Sequence, residues 1–165
     1  MNRILIADHA PAESSHAGVV DAWVRRAIEN DPSADALELF HVVFETVWNR
    51  AVATLGTTTL LAITERVLRT ASNRYRFLLA INTRPTTDPR WRQRLYARLG
   101  AVPRLQLIEG LRFALIELLT VIGRLTAEIL SDELHAAVIE TTTGEPERAI
   151  AIAPAAPRRA DREHA

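Results

Sequence analysis

Cysteine is absent from the chain. That excludes a disulfide framework, a thiolate nucleophile, and any zinc or iron–sulfur centre ligated by cysteine. Lysine is absent too, so all 20 basic residues are arginine, which reads as the coding bias of a GC-rich bacterial genome. Glycine is scarce, 6 in 165 residues, and none of it clusters. No Walker loop, dinucleotide fingerprint or G-x-S-x-G elbow can be built from it.

Long uncharged hydrophobic runs are missing as well. The most apolar stretch carries Glu109, Arg112 and Glu117, and each charge at membrane depth costs roughly 2.5–3.5 kcal/mol. The opening MNRILIADHAPAESS has a four-residue apolar run followed by acids, which does not make a signal peptide. A cytoplasmic protein with no membrane partner is the expectation.

What is present is a globular composition, 48% hydrophobic and 24% charged, in a length suited to one domain. The dominant stretch is LQLIEGLRFALIELLTVIGRLTAEIL. From Ile108 its apolar residues fall in steps of three and four: Leu111, Leu115, Leu118, Ile122, Leu125 and Ile129. This rhythm predicts one long helix over about 104–130 with an aliphatic seam along it. Further apolar residues widen the seam so far that neighbours or a partner subunit must cover it.

The remaining elements read as helices joined by short connections. A first helix over about His16–Asn30 places Val20, Trp23, Val24, Ala27 and Ile28 on one face, and Pro32 closes it. Asp35 with Glu38 resembles a capping box and opens a helix over Ala36–Leu55, with Gly56 as its left-handed cap. Thr57 or Thr58 would cap the next helix, about Thr59–Ser72, forming an antiparallel hairpin. Asp88-Pro89 is a helix start, and Gly100 a stop. A last short helix ends near Glu140. The expected fold is therefore all-α: a single bundle of five to six helices around the long one, in residues 1–140. An N-terminal arm (1–15) and a mostly disordered tail (141–165) complete it. Arg3–Asp8 and Ala149–Ala153 could form a short terminal β pairing.

Two acid-x-x-His pairs, Glu38/His41 and Asp132/His135, are the weak candidates for a metal site. Residues three apart share a helix face, and di-iron carboxylate bundles use such pairs with further glutamates, here Glu45 and Glu117 or Glu128. His41 or His135 could also serve as a haem ligand. Both motifs are unspecific, so no cofactor and no catalytic residue are expected.

Charge is uneven. Residues 1–64 hold four Arg against eight acids, and residues 105–165 hold six against ten. Residues 65–104 hold ten Arg against two acids. This basic middle, interleaved with Tyr75, Trp91 and Tyr96, would either meet the acidic sections, in one chain or across a dimer, or bind nucleic acid. Arg90, Trp91, Arg94 and Arg98 are its partner-binding candidates. Gly123 and Ala127, four apart on the expected helix, are two more, because they would leave a groove for another helix. The leading expectation is a non-enzymatic regulatory or adaptor module, acting as a homodimer or with a protein partner. A nucleic-acid-binding protein is the alternative, and a helical sensor of an apolar ligand, haem or metal is the second.

Overall fold

The side chain of Asp35 accepts the Leu37 N–H at 2.8 Å and so starts α2, Ala36–Leu55. Satisfying one of the orphan N–H groups of a first turn is worth ~1 kcal/mol. In the computed structural model, which describes residues 13–81 and 90–143, α1 spans Glu13–Asn30 and α3 Thr57–Ser72. A 3₁₀ turn, Arg76–Ala80, leads toward α4, Trp91–Leu99. The last two helices are α5, Arg104–Leu125, and α6, Ser131–Thr143. The described residues are thus all-α, six helices in one bundle with no strand. None of these helices is long and apolar enough to cross a membrane. Asp88-Pro89, the Arg3–Asp8 and Ala149–Ala153 segments, and the tail from residue 144 lie outside the described residues.

Gly56 is the entire connection between α2 and α3. Its φ of 76° and ψ of 157° fall in a region essentially reserved for glycine, not in the left-handed helical well expected for a cap. Because the chain reverses within this one residue, α3 starts at Thr57, and no threonine side chain caps it.

α5 is the centre of the bundle, packed against α1, α2 and α3. Leu107, Leu111, Ala114, Leu115, Leu118, Leu119 and Ile122 are buried along it. The seam is therefore internal core as far as Ile122. Its last two members are exposed, Leu125 at 61% and Ile129 at 80%, because the helix stops at Leu125 and does not reach residue 130. Close approach of the 3₁₀ turn is allowed by Gly110, where any β-carbon would overlap the ring of Phe77.

The stop after Leu125 is a Schellman motif built without glycine. Glu128 N–H donates to Gly123 C=O at 2.7 Å, and Ala127 N–H donates to Arg124 C=O at 3.4 Å. Ala127 (φ 49°) and Glu128 (φ 64°) both take left-handed backbone, each at a cost of roughly 1–2 kcal/mol for a residue with a β-carbon. This corrects the groove expected from Gly123 and Ala127. Ala127 is not on the helix, and the Glu128 carboxylate folds back over Gly123.

α6 packs across α1 and α2. Arg50 of α2 reaches Glu133 and Glu140 at 3.5 and 3.3 Å. Trp23 Nε1–H donates to Thr141 Oγ1 at 2.7 Å, so α6 continues past Glu140 to Thr143.

Candidate functional site

Between α2, α3, α4 and α5 lies a cavity of about 220 Å³. One face of α2 supplies Leu37, Phe40, His41, Phe44 and Trp48, residues spaced by helical periodicity. α5 supplies the floor with the buried side chains of Leu111, Ala114 and Leu118. α3 adds Thr64 and Leu68, and α4 closes the site with Leu95, Tyr96 and Leu99. The lining is almost wholly apolar.

Three polar side chains reach it. Thr64 Oγ1–H donates to Leu60 C=O at 2.8 Å, so its hydrogen is spent within its own helix. Tyr96 O–H donates to Glu38 Oε2 at 2.7 Å, which ties α4 to the first turn of α2. His41 is half-exposed and lies 3.9 Å from Glu45 Oε2. His41 and Tyr96 are the polar edge of an otherwise greasy hole. Glu38 is thereby accounted for: it does not close a capping box but anchors Tyr96.

The second acid-x-x-His pair serves elsewhere. His135 Nε2 meets His16 Nδ1 at 2.7 Å, and His16 Nε2 faces Glu128 Oε2 at 3.5 Å. Glu128 also accepts a hydrogen bond from Ser131 Oγ. Asp132 is exposed at the start of α6, and its charge acts on His135. His135 takes its proton less readily than an ordinary histidine, first because burial penalises the cation and second because His16 is beside it. The two contacts of His16 use opposite ring nitrogens, so one ion could not reach both neighbours. Among the described residues no group of three His, Asp or Glu is arranged to hold a metal. The structure does not combine Glu38/His41 with Asp132/His135.

The described arginines of the basic middle have several different partners. Arg104 donates to the carbonyls of Pro32 and Ala34, Arg69 pairs with Glu65 on its own helix, and Arg74 lies over Tyr75 and Phe113. Arg90, Arg94 and Arg98 are exposed, and the side chain of Trp91 lies outside the described residues. Sequence reasoning missed His16, whose partner is 119 residues away. Tyr96, a base-stacking residue only in the nucleic-acid alternative, is bonded to Glu38 instead. No local signal marks either role. No known protein family, curated protein or solved structure matches the chain.

Proposed function

We propose that this domain is a helical regulatory module that senses a small apolar molecule in the α2–α5 cavity. The cavity itself carries the reading. Its walls are almost wholly apolar and it opens partly to solvent, so an apolar occupant would displace water from surface that offers it few hydrogen bonds.

Size and polarity restrict the occupant. An engineered apolar cavity of ~150 Å³ holds benzene, and sites for drug-sized ligands measure roughly 300–1,000 Å³. A volume of 220 Å³ suits a compact aromatic or short aliphatic molecule and is too small for a haem. A single polar group on that molecule would sit at His41 and Tyr96. Burying about 250 Å² of ligand at ~25 cal/mol per Å² corresponds to a Kd on the order of 10–100 μM.

A second reading, self-association or docking of a protein partner, draws on exposed Leu125 and Ile129. These two, with Val42, Leu79, Leu105 and Ile139 also exposed, are not by themselves the roughly 800 Å² per partner that a stable interface buries. Binding of nucleic acid has weaker support, since Arg69, Arg74 and Arg104 are committed within the chain.

The test is a thermal-shift and Trp-fluorescence titration with indole, 1-naphthol and 1-hexanol, Trp48 reporting from the cavity wall. Saturable stabilisation is expected in the wild type, with its loss in Ala114→Leu. If none of the probes raises the melting temperature, the cavity is not a ligand site.

A further inference from the structure

His16 is 1% exposed, and its Nε2 is a buried polar atom with no hydrogen-bond partner. Histidine is the side chain whose charge changes near neutral pH, so a pair of them in contact at this depth needs a proton account. At 2.7 Å between His16 Nδ1 and His135 Nε2, one nitrogen carries the hydrogen and the other must be bare. Electrostatics selects the tautomer. With His135 Nε2–H as donor, His16 carries its own hydrogen on Nε2, the nitrogen that lies 3.5 Å from Glu128 Oε2. The reverse assignment would aim an Nε2 lone pair at a carboxylate.

A first added proton goes to His135 Nδ1 and leaves the bond intact. A second must enter at His16 Nδ1. It abolishes the only acceptor and puts two cations in rings 4.8 Å apart. The closed junction thus tolerates one extra proton, while the separated rings accept two.

Three elements meet here: the first turns of α1 through His16, the α5–α6 turn through Glu128, and α6 through His135. The charges acting on His135 are His16, Asp132 and Glu128. On the α2 side of α6, Arg50 is taken up by Glu133 and Glu140. The turn is itself strained, with left-handed backbone at Ala127 and Glu128, and the contacts of Glu128 with His16 and Ser131 hold it in place. We propose that His16, His135 and Glu128 form a proton-operated clasp that locks α6 against α1 and α5 near neutral pH and releases it on acidification. The clasp does not depend on the cavity or on its ligand. Since the open form gains one to two protons, its population should rise about 10- to 100-fold per pH unit below the ordinary histidine range.

Hydrogen exchange resolved by residue, corrected for intrinsic rates, tests this on the full chain between about pH 7.5 and 5. Amides of Ala137 and Val138 in α6 should open by that factor while those of Ile63 and Val67 in α3 do not. His135→Gln keeps an amide donor at a half-exposed position, so it should fold, and it should remove about tenfold per pH unit from the response. Three results would overturn the clasp: pH-independent α6 opening, an unchanged response in the variant, or α3 opening together with α6. Nitrogen chemical shifts of the wild-type rings give a check that needs no variant. Two coupled steps are expected, and two independent titrations at ordinary histidine values would equally overturn the proposal.

Discussion

The Glu128 carboxylate occupies the space that a side chain at Gly123 would need, its Oε2 lying 2.7 Å from where a β-carbon would stand. A glycine inside a helix costs ~0.8–1 kcal/mol relative to alanine, and here that cost leaves room for the acid that faces His16. Gly123→Ala should therefore change stability by less than ~1 kcal/mol, because gained helix propensity offsets a displaced, flexible carboxylate. Its signature should be electrostatic. With the acid moved off, the histidine pair should accept its first proton at lower pH, as read from ring nitrogen shifts.

Ala127→Gly should stabilise the chain, as glycine at the left-handed residue just past a helix end usually does. Relief of a left-handed alanine is worth roughly 1–2 kcal/mol, less the ~0.5–1 kcal/mol by which glycine favours the unfolded chain. A net gain of about 0.5–1 kcal/mol in urea denaturation is expected. An unchanged or lower midpoint would mean that the φ of 49° at Ala127 carries no strain.

Truncations along the seam should map where it stops. Ile122→Ala, at a fully buried position, should cost ~2–5 kcal/mol. Leu125→Ala, one helical turn on, should cost less than ~0.5 kcal/mol, as exposed substitutions usually do. Equal losses at both positions would place Leu125 under a partner and favour the assembly reading.

These positions also mark how far the sequence could be read. The boundaries of α2 were legible because Asp35 and Gly56 announce themselves chemically, and the burial of Leu111 through Ile122 follows from periodicity alone. The end of α5 was not. Residues 126–130 continue the apolar rhythm and contain no glycine or proline, and the stop comes from backbone bonds onto Gly123 and Arg124 that no residue type encodes. Of the cavity, nothing was legible, because its walls come from α2, α3, α4 and α5 and meet only in three dimensions. The His16–His135 contact was illegible for the same reason: its members pair only when α6 returns across α1.

Acid should act on the fold in two separate windows. His135 has its proton affinity lowered from the ordinary 6.5, chiefly by burial, so the unfolded chain binds more protons and stability declines as pH falls below that value. Asp21 is held below 3.8 by the hydrogen bond from Arg112, so its contribution is present above that pH and lost beneath it. Both partners of that ion pair are more than a third exposed, which limits the pair to less than ~1 kcal/mol. Denaturation midpoints against pH should show His135→Gln flattening the upper window alone, and Asp21→Asn lowering the midpoint by a near-constant amount above about pH 4, a difference that shrinks below it. A single merged transition unaffected by either change would contradict both assignments.

Filling the cavity should raise stability while ending ligand response, a combination that ordinary core damage cannot produce. Ala114 is buried on the cavity floor between Leu111 and Leu118. Ala114→Leu adds three carbons to a helix position at little propensity cost. At ~0.8 kcal/mol per buried methylene the gain approaches 2 kcal/mol, and imperfect fit would subtract ~1–3 kcal/mol where the new side chain overpacks. A volume of 220 Å³ exceeds what three carbons occupy, so the gain should dominate and the melting temperature should rise by several degrees. Indole and 1-naphthol should then no longer shift it. A destabilised Ala114→Leu that still responds to the probes would show that they bind somewhere other than the space between α2 and α5.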